Sequence, residues 1–352
     1  MKHNKIAFVT EIYTDTDFVS GGVKLNFLLL KKLHQYGFLI DLFTPKNVKI
    51  HSQIFTNVYK LKELDNLRKN YKLVLSDKAI VSSDITYIHD HSYLYRTEKM
   101  SNKFSHFFYK IFNKKRHKQR LQEFLKTKEN IQKTNKVIVS SNILKQDMIK
   151  NYGVKEENIV IIPPPIEPYT NNNKQHHSVY TFGISALGFN RKGGYVMMKA
   201  IQQLKKKEKD FKVIFIYPSK NFGVEIIKKL YGIEKYCEFI PAQKDMSVFY
   251  NSIDCLVMPS LIEPFGMVAT EALSLGCPVI TGEHCGASDY ITDGRNGYKY
   301  DFTNKSIKGL TYAMQKIIQN KSDFSQNCIA SVQDQTLDIF VDKYIKVMEG
   351  MN

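Results

Sequence analysis

The run from Asp254 to Ser288, DCLVMPSLIEPFGMVATEALSLGCPVITGEHCGAS, constrains this chain more than any other stretch. Cys255 to Met258 and Val279 to Thr281 are short apolar runs. Between them lies one helix's worth of sequence closed by Gly276, the residue type that ends helices most readily in the left-handed conformation. Strand, helix and strand in that order form a βαβ unit, which joins parallel strands. Glu263 stands directly before Pro264, a position that disfavours the α conformation, while proline itself suits the first turn of a helix. Glu263 is therefore expected in the loop at the strand's end, and Glu271 two turns into the helix. Phe265, Gly266 and Met267 would offer backbone amides at the helix start, where unpaired N–H groups and the macrodipole attract phosphate. A carboxylate further along can accept hydrogen bonds from sugar hydroxyls, as the acidic residue of the dinucleotide fold does from a ribose. The stretch reads as a site for a phosphorylated sugar, with an ordinary helix carrying a solvated glutamate as the alternative.

The same alternation runs through the rest of the chain. Ile6 to Thr10 is an apolar strand, a polar loop follows, and Gly21 and Gly22 open a helix with Leu25, Leu28, Leu29 and Leu33 at helical spacing. The glycine pair lets backbone approach a ligand closely. Asp15 and Asp17 in that loop form a D-x-D, a pattern that binds metal in other settings. The strand Ile85 to Ile88 ends in His89, Asp90 and His91, which places imidazoles where open α/β sheets bind ligands. Pro163, Pro164, Pro165 and Pro168, followed by an Asn-rich run, mark a linker between two domains. Beyond it a strand at Tyr180 to Ser185 leads to Arg191, Lys192, Gly193 and Gly194 at a helix entrance. Arginine binds phosphate oxygens bidentately and lysine acts as a point charge, so the pair suits a diphosphate. Solvated cations are the alternative there.

The spacing of Glu263 and Glu271 within EPFGMVATEALSLGCPVI resembles the E-x7-E signature of retaining family-4 glycosyltransferases. The adjacent Arg191-Lys192-Gly193 resembles the lipopolysaccharide-core glucosyltransferase subgroup, and Asp84 with His89 resembles that family's strand-end histidine motif. The resemblance implies an α/β protein of the GT-B fold: two Rossmann-like domains facing each other across a cleft. The first would span 1–167 with a C-terminal crossover helix at 336–352, and the second, nucleotide-sugar-binding, 168–335. It implies a retaining, metal-independent enzyme that moves a hexose from a nucleotide-diphosphate sugar, UDP-sugar favoured, to a hydroxyl on a bacterial surface glycan or lipid-linked saccharide. No cofactor is expected. By the same resemblance Arg191 and Lys192 would stabilise the leaving phosphate, Glu263 and His89 would contact the transferred sugar, and Glu271 the ribose. Gly21, Gly22, Phe265, Gly266 and Met267 would line the nucleotide's phosphates. A GT-B sugar-nucleotide epimerase is the nearest alternative enzyme. A hydrolase with Glu263 and Glu271 as its carboxylate pair is a more distant one.

Charge bears on partners. The formal net charge of +17 over 352 residues suits a polyanion. A non-catalytic polyanion-binding protein is the alternative from another class. Between 99 and 133 eleven Lys or Arg stand against two Glu, while Phe104, Phe107, Phe108, Ile111 and Phe112 fall on one helix face. That pattern fits docking on an anionic membrane surface, and equally a core-packed helix with a solvated basic face. Aromatics spaced for a helix face do not suit base stacking, so nucleic acid is not the expected partner. No apolar run reaches the roughly 18 residues of a membrane span. The five cysteines form no C-x-x-C pair, as in a reducing compartment. The expected location is the cytoplasm, with the inner face of the plasma membrane as the surface that 99–133 would meet.

Overall fold

The computed structural model describes residues 4–11, 21–45, 53–100, 114–169, 174, 177–217, 222–301, 306–320 and 323–351. Asp15, Asp17 and the aromatic run from Phe104 to Phe112 lie outside them. The chain divides into two units, one of 1–165 with 335–352 and one of 166–334, against 1–167 with 336–352 and 168–335 read from the sequence.

The first unit holds seven parallel strands: β1 (Lys5–Val9), β2 (Leu39–Thr44), β3 (Phe55–Lys60), β4 (Leu73–Asp77), β5 (Ile85–Ile88), β6 (Lys136–Val139) and β7 (Ile159–Ile161). They lie in the order 3-2-1-4-5-6-7. The second holds six: β8 (Tyr180–Ser185), β9 (Phe211–Ile216), β10 (Cys237–Ile240), β11 (Cys255–Met258), β12 (Val279–Gly282) and β13 (Gly297–Tyr300). Their order is 10-9-8-11-12-13. Both sheets therefore reverse direction between their first and fourth strands. In doubly wound sheets that switch point, at the strands' carboxyl ends, is where ligands bind.

Burial explains which strands the sequence announces. Central parallel strands are covered on both faces and read as continuous apolar runs. Every residue of β4, β5, β11 and β12 is buried. The edge strand β3, FTNVYK, has no buried residue and pairs only with β2, so it carries no apolar signature. It was not expected, and neither was β4, whose LVLSD is short and set between lysines.

The last helix, Leu337–Glu349, belongs to the first unit. Phe340, Val341, Tyr344 and Met348 are buried in one cluster with Leu29, Leu33 and Tyr87. Each such side chain contributes about 1.5–3 kcal/mol by leaving water. Thr336 caps the helix, and Asp338 meets Lys32 of the helix Gly21–Gln35 at 2.7 Å. In the basic segment the described residues form the helices Tyr93–Met100 and Lys114–Gln132, the latter burying only Phe124 and Ile131. Among the described residues no helix is long and apolar enough to cross a membrane.

Candidate functional site

In the second unit the loop after β8 is shaped by two glycines. Gly188 (φ +82°) and Gly193 (φ +77°) adopt the left-handed region, and the turn closes with Lys192 N donating to Gly188 O at 3.0 Å. A Cβ at Gly193 would lie 1.8 Å from the carbonyl oxygen of Pro259, which belongs to the loop after β11. Only glycine allows these two loops to touch. The amide of Leu261 then donates to Arg191 O at 2.8 Å and ties them together.

Three charged side chains meet as a result. Lys192 Nζ lies 2.5 Å from Glu263 Oε2, Arg191 Nη1 lies 3.8 Å from the same oxygen, and Ser260 Oγ donates to it at 3.4 Å. The Glu263 and Lys192 side chains are only 10% and 15% exposed, whereas Arg191 is 47% exposed. Glu263 and Lys192 are thus a nearly buried pair, in which removing one partner strands the other at a cost of about 3–5 kcal/mol. Two cations against one carboxylate leave the group with an excess positive charge at the β8/β11 switch point.

Glu263 is extended, as the following proline requires, and forms an isolated parallel bridge with Cys285. Its carbonyl accepts from Gly286 N at 3.1 Å, and that of Phe265 from Ala287 N at 2.6 Å. The helix starts at Met267, three residues later than proline placement suggested, because Gly266 stands at φ +99° and interrupts the α conformation. Glu271 is consequently the fifth helical residue, one turn in rather than two. Phe265 is buried, its ring set edge-on to Tyr290, so its side chain is part of the wall behind the loop.

Glu271 is held by a different set of groups. The Tyr250 hydroxyl donates to its Oε2 at 2.7 Å, and Tyr169 hydrogen-bonds the same carboxylate. Burial first, then the Glu271 charge and hydrogen bond, push the Tyr169 phenol well above its ordinary pKa. Arg191, Lys192 and Glu263 are thus brought together with Gly266 and Met267 at the adjoining helix start, while Glu271 stands apart in its own tyrosine-lined set.

The first unit builds its own cluster at the ends of β4 and β5. His89 Nε2 lies 2.9 Å from Asp77 Oδ1, and its ring is edge-on to Tyr87. Asn26 and Thr10 donate to the other Asp77 oxygen at 3.0 and 3.3 Å. Burial alone would raise the Asp77 carboxyl, but the His89 hydrogen bond and charge, with Lys78 and Asn26, hold it below the ordinary range. A Cβ at Gly22 would lie 3.6 Å from the His89 ring, so the helix start and the imidazole are neighbours. Gly21 is the first residue of that helix. His91 is instead a packing residue. Its side chain is fully buried, meets Asp147 Oδ2 at 3.1 Å and stacks on Tyr95. Asp84, aligned with the family's motif aspartate, accepts from Val74 N at 2.7 Å.

Residues 171–335 match the family described as Glycosyl transferases group 1. That match covers nearly all of the second unit. Lipopolysaccharide glucosyltransferase WaaG of Escherichia coli strain K12 is 26% identical over 180 residues, 47% of this chain and 48% of that protein. The chain spans about half the length of the curated relatives it matches. In structure the likeness extends across both units. The crystal structure of WaaG, a glycosyltransferase involved in lipopolysaccharide biosynthesis, superposes with a TM-score of 0.75 over 98% of this chain and 100% of that one, at 18% identity. Anabaena Alr3699/HepE in complex with UDP and glucose gives 0.71 over 99% and 100%, at 16% identity. The chain has the GT-B fold, and its second unit is similar to group 1 glycosyl transferases.

Asp77, Ser260, Tyr250 and Tyr169 were not singled out from the sequence. Asp77 carried a usable signal: it closes an apolar run, LVLSD, and so stands at a strand's carboxyl end like His89. Tyr250 reads as one more core aromatic, and nothing local to Tyr169 points to a carboxylate 102 residues away.

Proposed function

We propose that the chain is a retaining, metal-independent glycosyltransferase moving a hexose from a nucleotide-diphosphate sugar, UDP-sugar favoured, to a hydroxyl acceptor. The observation that carries this reading is the convergence of Lys192 and Arg191 on Glu263 at the switch point of the second unit, beside the start of the helix Met267–Ser274. As the bond from the anomeric carbon to the phosphate oxygen lengthens, negative charge collects on that phosphate. Lys192 and the half-exposed Arg191 stabilise it, with the helix-start amides at Gly266 and Met267 adding further donors. Glu263, already oriented by Lys192 and Ser260, accepts from hydroxyls of the transferred hexose. Glu271 accepts from the ribose. His89, held by Asp77, hydrogen-bonds a sugar hydroxyl. The acceptor oxygen attacks from the face that the phosphate leaves, its proton passes to the departing phosphate, and the product keeps the donor's anomeric configuration.

The UDP preference is supported by the structure of Alr3699/HepE with UDP and glucose, and the acceptor class, a bacterial surface glycan or lipid-linked saccharide, by the name of the WaaG relative. Work at the cytoplasmic face, with the basic segment 99–133 against an anionic leaflet, follows from the same reading. The test is turnover of a panel of UDP-hexoses with lipid-linked saccharide acceptors, with and without chelator, and with the product anomer resolved. An inverted anomer or abolition by chelator contradicts the mechanism. Nucleotide release that needs no acceptor points to an epimerase instead.

A further inference from the structure

We propose that Tyr250 and Tyr169 are positioning residues that orient Glu271, and that through them the second unit distinguishes ribonucleotide from 2′-deoxyribonucleotide donors. The inference rests on the reading that Glu271 binds the ribose.

Tyr250 is wholly buried on the helix Met246–Asn251, and its hydroxyl reaches Glu271 Oε2 at 2.7 Å. The Tyr169 ring stands edge-on to it, centroids 6.1 Å apart, and its hydroxyl bonds the same carboxylate. Tyr169 belongs to the segment that joins the two units, and that segment is fastened to the same helix further along. Lys174 Nζ donates to the carbonyl of Ile253 at 2.5 Å and approaches that of Tyr250 at 3.5 Å. His177 Nε2 donates to Ser252 O at 2.9 Å. These are the outward-facing carbonyls at and just past a helix's C-terminal end, where a cation is also favoured by the macrodipole.

The function of such a clamp follows from carboxylate geometry. The terminal torsion of glutamate is broad and nearly two-fold, so an unsupported carboxylate samples many planes. Two phenolic donors fix one plane, and a carboxylate accepts several bonds at once. A vicinal diol presents two hydroxyls in a set geometry, so recognition of the 2′-hydroxyl depends on that plane being held. Glu271 supplies the charge, and the tyrosines supply its direction.

The experiment measures binding of UDP and 2′-deoxy-UDP to the full chain and to Tyr250→Phe, Tyr169→Phe and Glu271→Gln, with thermal unfolding as the check on folding. Hydrogen bonds to charged groups predict that the unaltered protein prefers UDP by about 10- to 100-fold. Each tyrosine variant is expected to cut that preference at least about threefold. A preference left intact in both tyrosine variants overturns the positioning role while leaving the ribose reading standing. Tight binding of both nucleotides with no preference, unchanged by Glu271→Gln, overturns the ribose reading and this inference with it. Binding of neither nucleotide overturns both. If Tyr250→Phe does not fold, the half-buried Tyr169→Phe decides the question alone.

Discussion

At its switch point the second unit holds a lysine and an arginine against one glutamate, whereas the first unit, with the same strand order, holds one histidine against one aspartate. The first arrangement has charge to spare and suits a diphosphate. Among the described residues the second pairs its carboxylate with no cation beyond the histidine itself, with Asp77 tied by Asn26 and Thr10, and suits a hydroxyl that needs a fixed hydrogen-bonding partner. The backbone differs in step. Gly193 takes a left-handed conformation so that loops from two strands can touch, and Gly266 takes one just before its helix, while Gly22 lies in ordinary contact with the His89 ring. A shared topology thus fixes where ligands can sit, and the loop residues decide which chemistry each place performs.

Substitutions can pull that contrast apart. Lys192→Ala should show the largest effect, a fall in turnover of about 10²- to 10³-fold, the scale for losing one transition-state donor. Steady-state kinetics with saturating donor would reveal it, and unchanged turnover would remove the charge role from the second unit. Gly193→Ala should destabilise the second unit by about 2–3 kcal/mol, since it adds left-handed strain to a collision with the Pro259 carbonyl. Hydrogen exchange resolved by segment should show the loss in 166–334 and not in the first unit. Loss of His89 to alanine removes hydrogen bonding without removing spare charge. A fall of about tenfold in kcat/KM is expected, the scale of one hydrogen bond, and a fall as large as that of Lys192→Ala would erase the distinction.

The smallest effect concerns acid. Burial would raise Asp77 and Asp147, but hydrogen bonds to His89 and Asn26 in one case, and to His91, Asn151 and Ser92 in the other, bring both below the ordinary range. Their unfolded value is about 3.9. A depressed carboxyl contributes stability in full above its unfolded pKa and loses it as pH falls through the folded one. Unfolding of the first unit should therefore become easier below about pH 4, and Asp77→Asn should flatten that dependence in hydrogen exchange followed against pH.

The legible parts of the molecule were those whose physics is local. β5, β8 and β11 could be placed to the residue because buried parallel strands are uninterrupted apolar runs, and the final helix because Phe340, Val341, Tyr344 and Met348 share a face. The edge strand β3 was invisible because solvent covers it. Lys192 and Glu263 could each be marked from local motifs, but their contact, 71 residues apart, depends on Gly193 meeting Pro259, which no sequence window contains. Proline rules put Glu263 in an extended loop correctly and the helix start three residues early, since they do not register the left-handed Gly266. His91 is the second candidate after His89 at that strand end, and packing against Asp147 and Tyr95 takes it out of the site.

On the proposed reading, Lys192 and Arg191 hold a nucleotide sugar's diphosphate without help from a metal. A thermal-shift titration of the unaltered protein and Lys192→Ala with UDP-sugars, with and without chelator, tests it most directly. Stabilisation should survive chelator and be lost in the variant. Equal stabilisation of both proteins, or stabilisation only with a divalent cation, would contradict it.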